Sequence, residues 1–139
     1  MRRYLETFAA VVIIIAGTYG LVGLAAAMLR LVYPVGDPGT YMQATPFERA
    51  VGFYLPALLT GGVTAYAAAR AAFWLLHRSG PRATAVICST IFVLLAIGAI
   101  AAGSSEALPL GLLLVSLIRV VGIVGGVWAA VADMERPPN

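Results

Sequence analysis

Arg119 is the residue whose type and position most clearly suggest chemistry. It lies at the centre of a long stretch, residues 107–132, that carries no other charge. An arginine at mid-membrane costs about 2.5–3.5 kcal/mol on insertion scales. At 1.5 Å per helical residue it lies about 20 Å from either end of the stretch, beyond the reach of its side chain. We therefore expect a polar partner for Arg119 inside the membrane.

The helix that carries Arg119 is predicted to have two unlike faces. At 100° per residue, the face of Arg119 holds mostly small or aliphatic residues: Leu112, Val115, Gly122, Gly126 and Ala130. The opposite face holds bulky ones: Leu114, Leu117, Val121, Val124 and Trp128. Bulky residues suit a lipid face and glycines suit a packing face, so Arg119 is predicted to point into protein.

No acidic residue of the chain shares the predicted depth of Arg119. The acids lie at or beyond the ends of the apolar stretches: Glu6, Asp37, Glu48, Glu106, Asp133 and Glu135. The candidates at mid-depth are hydroxyls: Thr18, Tyr19, Thr60, Thr64 and Ser116. The predicted binding set consists of these residues: Tyr19, Thr60, Thr64, Ser116, Arg119, Gly122 and Gly126. Three interpretations stay open for Arg119: a structural arginine bonded to carbonyls and water, a contact with a partner or second copy, or a site for an anionic ligand or ion.

Four further basic residues are candidates for binding lipid headgroups. Arg70, His77, Arg78 and Arg82 surround one predicted turn, where they could contact lipid phosphates. The alternative is ordinary anchoring of the chain by positive charge.

Catalytic groups are scarce in the sequence. His77 is the single histidine and Cys88 the single cysteine, which leaves no Ser-His-Asp arrangement, disulfide or cysteine metal cluster. Ser104, Ser105 and Glu106 are typical of a turn with a helix-capping residue. We predict no catalytic residue, no metal and no cofactor, and we lean against an enzyme.

Composition indicates an integral membrane protein. Hydrophobic residues make up 61% of the 139 residues and charged residues 11%, whereas soluble domains have about 25% charged residues. All basic side chains other than His77 are arginines, which we take as a sign of a bacterial source. The arginines form no patch interleaved with aromatic residues, so a nucleic-acid partner is not expected.

Apolar runs and turn signals predict a single domain, residues 1–139, that is all-α with four transmembrane helices. The spans are expected over roughly residues 5–32, 46–77, 81–102 and 107–132. Thr45, Pro46 and Glu48 predict a capping box at the start of the second span, and Pro56 predicts a kink within it. Small residues form seams in the first, second and fourth spans.

Short turns predict consecutive spans that are antiparallel neighbours, in an up-down four-helix bundle. The arginine distribution places both termini in the cytoplasm and the loop 33–45 outside the cell membrane. The localisation expected is the bacterial cytoplasmic (inner) membrane.

These observations predict a non-enzymatic subunit or accessory factor of a larger membrane complex, bound through small-residue seams and Arg119. One alternative is a homo-oligomeric small transporter or channel whose anion pathway Arg119 lines. The other is a lipid- or quinone-binding subunit of a membrane enzyme. The expected partners are membrane lipids and either other membrane subunits or further copies of the chain.

Overall fold

The computed structural model describes residues 1–32, 43–76, 80–103 and 110–136. The described chain forms four long helices: α1 (Arg2–Val32), α2 (Pro46–Leu75), α3 (Pro81–Gly103) and α4 (Leu110–Glu135). Each contains a stretch long and apolar enough to cross a membrane. The predicted class, an all-helical protein with four candidate membrane spans, is confirmed. Most of the predicted loop 33–45, and the predicted start of the fourth span at residue 107, lie outside the described residues.

Helix α2 begins with the capping box that the sequence predicts. The Thr45 hydroxyl accepts a hydrogen bond from the Glu48 backbone N–H at 3.3 Å. The Glu48 carboxylate accepts one in return from the Thr45 backbone N–H at 3.2 Å. Pro46 occupies the first turn, where its missing N–H leaves no bond unmade.

The first part of α2 contains a π-helical segment, Ala50–Tyr54. The Leu55 backbone N–H donates to the carbonyl of Ala50, five residues back, in place of the usual four. Pro56 lies two residues after the end of this segment. Its ring has no N–H and crowds the carbonyl four residues before it, so a wider turn at this point relieves the crowding. The kink predicted at Pro56 stays a prediction; the described feature is this change of helix type.

The four helices contact one another in the ring order α1, α2, α4, α3. The most extensive contact joins α2 and α4, followed by α1 with α2 and α3 with α4, while α1 and α3 touch over a shorter length. Helices α2 and α3 are consecutive but are not among the helix pairs that pack together in the described chain. The expectation that every consecutive pair would be neighbours therefore fails at this step, because α2 packs on the glycines of α4.

The packed core occupies one half of the bundle. Its largest fully buried side chains include Ile14, Phe73, Phe92 and Val127, one from each helix. In the other half, α1 beyond Thr18 and α3 beyond Phe92 have no buried residue among those whose burial is described. The packing is thus tight in one half and open in the other.

The tight half ends where several arginines cluster. Arg82 at the start of α3 pairs with Glu135 at the end of α4. Residues Met1, Arg2 and Arg3 line one groove together with Gly80, which precedes α3. The start of α1, the start of α3 and the end of α4 therefore lie at the same end of the molecule.

Candidate functional site

The backbone of α4 at Arg119 lies directly against α2. A Cβ added to Gly61 would lie 2.6 Å from the Arg119 carbonyl oxygen and 3.3 Å from Arg119 Cγ. Both distances are too short for an ordinary contact, so Gly61 is required by this close approach. The lower part of the Arg119 side chain therefore rests on the α2 backbone.

Two glycines of α4 continue the same close contact. A Cβ on Gly122 would collide with the Leu58 carbonyl, and one on Gly126 would collide with the Gly62 carbonyl. Residues later in α4 contact residues later in α2, so the two helices run in the same direction. Such an approach brings Cα–H groups onto carbonyl oxygens, a weak stabilising contact repeated along the helices. We call this the glycine contact, formed by Gly61, Gly62, Gly122 and Gly126.

Burial along α4 follows the two faces predicted from the sequence. On the face of Arg119, Gly122, Gly126 and Ala130 are buried. On the opposite face the bulky residues are exposed: Leu114 43%, Leu117 40%, Val121 65% and Trp128 39%. Trp128 also donates a hydrogen bond from Nε1 to Ser89 Oγ of α3 at 3.1 Å. The predicted packing face is therefore confirmed for the three buried residues. Val124 of the opposite face is only partly exposed, and Leu117 lines a cavity with α3, so the lipid face stays a prediction.

On the side away from α2, Arg119 borders an open cavity of about 310 Å³. The cavity lies between α1, α3 and α4, in the open half of the bundle. Its walls include Tyr19, Ala96, Ala99, Ser116, Leu117 and Arg119. We call this cavity the Arg119 cleft. Its lining is aliphatic or aromatic apart from the hydroxyls of Tyr19 and Ser116 and the guanidinium of Arg119.

The Nε atom of Arg119 lacks the internal partner that we expected. This atom is buried, and no hydrogen-bond acceptor contacts it in the described part of the chain. The described acids are engaged elsewhere: Glu6 with Arg2, Glu48 in the capping box, Asp133 with Tyr66 and Arg136, and Glu135 with Arg82. Asp37 and Glu106 lie outside the described residues. A buried donor without an acceptor is costly, which makes Arg119 the strongest candidate for a binding residue in the described chain.

The hydroxyl candidates divide into two groups. Thr60 and Thr64 donate to carbonyls of their own helix, at 2.7 Å to Pro56 and 2.5 Å to Thr60. Tyr19 and Ser116 line the Arg119 cleft, and the Tyr19 ring packs on Phe92 with 5.7 Å between centroids. The structure therefore places two of the predicted hydroxyls at the cleft with Arg119.

Another predicted hydroxyl, that of Thr18, is fully buried. Its Oγ1 has no hydrogen-bond partner among the residues that the structure describes. Thr18 lies one residue from Tyr19 on α1, but it does not line the cleft.

The predicted headgroup residues do not form one cluster in the described chain. The Arg82 guanidinium binds both carboxylate oxygens of Glu135, at 2.7 and 3.0 Å, so two of its donors are already engaged. Arg70 is exposed. His77 and Arg78 lie outside the described residues. A lipid-binding role for these four residues stays a prediction.

Sequence reasoning missed the polar contacts at this end of the molecule. The Tyr66 hydroxyl donates to Asp133 of α4, and Arg136 lies 3.6 Å from the same carboxylate. Tyr66 and Asp133 are far apart in sequence, and no local pattern links them. The one available signal was that both residues are polar and lie in or beside apolar helices.

The described residues contain no group of three or more His, Cys, Asp or Glu side chains that could hold a metal ion. Cys88 is fully buried in the core. The arrangement around Arg119 can bind an acceptor or an anion by charge and hydrogen bonds. The side chains placed there do not include a nucleophile paired with a base.

Comparison of the chain with protein-family models, with curated proteins and with solved structures finds no match. The function proposed below therefore rests on the residues and their geometry.

Proposed function

We propose that the chain is a non-enzymatic subunit or accessory factor of a larger membrane complex. The observation that carries the proposal is the Arg119 guanidinium, whose buried Nε has no acceptor in the described chain and which borders an open cleft. A charged side chain in a membrane helix is rare and pairs with a polar group as a rule. A partner subunit would supply that group.

The small-residue seams support a more limited role than the sequence suggested. The seams of α2 and α4 are used within the chain, where Gly61 and Gly62 pack on Arg119, Gly122 and Gly126. On α1, Gly17 packs on Ala68, but an added Cβ at Gly20 or Gly23 would meet nothing within 4 Å. The outer part of α1 is thus the seam left for a partner.

The alternative, a homo-oligomeric transporter or channel with an anion pathway, has weaker support. An anion pathway needs polar groups along much of its length, whereas the cleft wall has three polar side chains, those of Tyr19, Ser116 and Arg119. A second copy would also bring no free described carboxylate to Arg119.

The lipid- or quinone-binding alternative needs ligand in the same cleft and catalytic groups from another subunit. Its support is the same unpartnered Nε. It becomes the better proposal if a small molecule, and no protein, is retained through Arg119.

The proposal includes an up-down membrane topology in the bacterial inner membrane, with both termini in the cytoplasm. The common end formed by Arg3, Gly80, Arg82 and Glu135 supports this topology, because the arginine-rich side of a membrane protein faces the cytoplasm as a rule.

The test is purification of the tagged chain from its native membrane in a mild detergent, with identification of what co-purifies. We expect a stoichiometric membrane protein that is retained by the wild-type chain and lost from Arg119→Gln. The matched control is Arg70→Gln, which makes the same chemical change at an exposed arginine of α2.

Two results would count against the proposal. A partner retained equally by wild type and Arg119→Gln would show that Arg119 does not hold the complex. A chain that self-associates without any partner, and whose vesicles pass anions only while Arg119 is intact, would favour the transporter alternative.

A further inference from the structure

We infer that the Arg119 cleft receives a transmembrane helix of a partner protein that carries one carboxylate, from Asp or Glu, near mid-membrane. This inference rests on the proposed function and names the chemistry of the partner. It follows from the charge of Arg119, which lines the cleft, and the volume of the cleft and the small residues Ala99 and Gly23 are compatible with it.

The charge at the base of the cleft selects an anion over a neutral group. The Arg119 Nε is buried without an acceptor, and the described acids are engaged elsewhere. The hydroxyls of Tyr19 and Ser116, which line the same cleft, carry no charge and so leave the positive charge uncompensated. A carboxylate both accepts from the guanidinium fork and neutralises it, which is the strongest pairing that a protein side chain can give.

The cleft is large enough to admit a side chain of a partner helix. Its volume is about 310 Å³, at the lower end of the roughly 300–1,000 Å³ that is typical of ligand pockets. It therefore has room for several side chains, and the choice of an acidic side chain over a lipid tail rests on the charge of Arg119. A partner helix would therefore lie across the mouth of the cleft and insert its acidic side chain towards Arg119.

The cleft wall on α3 mixes small and large side chains. Ala99 lines it beside Leu95 and Ile100, and Ala99 is exposed. On α1, Gly23 lies outside the cleft, one turn from Tyr19 and within about 40° of it around the helix. A Cβ added to Gly23 would meet nothing within 4 Å. Small residues let a neighbouring helix backbone approach closely, so Ala99 and Gly23 are the positions that a partner helix would approach most closely.

A second copy of this chain is a poorer occupant than a separate protein. The described acids lie at the helix ends and are already bonded, so a second copy of the described residues would add a further Arg119 without a carboxylate to match. Lipid acyl chains can fill the space between α1 and α3, but they leave the guanidinium without an acceptor. An acidic transmembrane helix both fills the space and supplies an acceptor for the guanidinium.

The experiment uses the purified chain in phosphatidylcholine vesicles and synthetic single-span polyleucine peptides as probes. The peptides differ only at the central residue, which is Glu, Gln or Lys, and binding is measured by fluorescence energy transfer. We expect wild type to bind the Glu peptide about tenfold more tightly than the Gln peptide, the size of a good interhelical polar contact.

Three variants make the result specific. Arg119→Gln should lose the preference for the Glu peptide, and Arg70→Gln should keep it. Arg119→Glu should reverse it and prefer the Lys peptide, provided that circular dichroism shows the helices intact. Ala99→Leu narrows the cleft on α3 and should weaken binding of the Glu peptide.

Equal binding of the Glu and Gln peptides to folded wild type would overturn the inference. Unchanged Glu-peptide binding to Ala99→Leu would overturn the placement in the cleft. If a native partner still depends on Arg119 while the peptides are not distinguished, the proposed function stands and only the acidic helix is wrong. If neither depends on Arg119, both proposals fall.

Discussion

The two sides of Arg119 are packed in opposite ways. Towards α2, the glycine contact leaves no room even for a methyl group at Gly61, Gly122 or Gly126. Towards α1 and α3, the same side chain borders a cleft of about 310 Å³. One residue therefore separates the most tightly packed surface of the molecule from one of its most open ones.

This difference in packing indicates that the two sides of Arg119 have different roles. Close packing between helices is a main source of stability inside a membrane, where burial of apolar surface from water contributes nothing between helices. The glycine contact provides this packing. The cleft provides none. We conclude that close packing lies on the α2 side of Arg119, and the open side is the one that we propose for binding.

The largest effect is expected from filling the glycine contact. Gly126→Ala places a methyl group against the Gly62 carbonyl and near the Tyr66 backbone nitrogen, so α2 and α4 must separate. We expect a loss of about 1–3 kcal/mol in the free energy of unfolding, the range for an overpacked core. Unfolding in mixed micelles with increasing dodecyl sulfate, followed by circular dichroism, measures it.

The neighbouring glycine is the control for that substitution. A Cβ at Gly125 would meet nothing within 4 Å, so Gly125→Ala should leave stability unchanged or raise it by up to about 1 kcal/mol through helix propensity. Equal losses for Gly125→Ala and Gly126→Ala would contradict a specific contact between α2 and α4.

An intermediate effect of opposite sign is expected at Arg119. Arg119→Met keeps the length and removes the buried charge, so the isolated chain should gain about 1–2 kcal/mol, as when buried ionic groups are replaced by apolar ones. The same unfolding titration measures it. Destabilisation would mean that Arg119 is a structural residue, bonded within the chain, and would remove the distinction between the two sides.

A smaller effect is expected from narrowing the cleft. Ala99 is exposed at the cleft wall, so Ala99→Leu should change the free energy of unfolding by no more than about 0.5 kcal/mol. A loss comparable to that of Gly126→Ala, in the same titration, would show that the cleft contributes to stability and is not reserved for binding.

The smallest effect is expected at the arginine-rich end. Arg82 and Glu135 form a two-bond salt bridge, but the Arg82 side chain is 75% exposed. Such pairs contribute little and weaken with salt. Glu135→Gln should therefore lower the unfolding midpoint slightly at low salt and leave it unchanged at high salt. A large loss of stability that does not depend on salt would show that this end also stabilises the protein.

The features that sequence reasoning predicted correctly depend on residues close together in the chain. The four helices follow from apolar runs, the start of α2 from Thr45 and Glu48, and the packing face of α4 from the spacing of Gly122 and Gly126 relative to Arg119. Each of these depends on helix geometry over a few turns, which the local sequence determines.

The features that it missed depend on which helix meets which. Glycines on α2 and α4 were recognised as packing residues, but nothing local shows that they pack on each other, so α3 was expected beside α2. The bonds from Tyr66 to Asp133 and from Arg82 to Glu135 were missed for the same reason. The wider turn over Ala50–Tyr54 reflects crowding by Pro56, which predicts a distortion but not its form.

The partnership of α2 with α4 also bears on the order in which the protein assembles. A ribosome delivers the helices from the N-terminus, so α1 and α2 are in the membrane before α4 has been made. The surface of α2 around Gly61 and Gly62 is then not covered by α4 until about 60 further residues have been synthesised. The final docking of α4 covers this surface and brings Arg119 to its position. We therefore expect insertion of the last helix to be the event that creates both the stable bundle and its binding site.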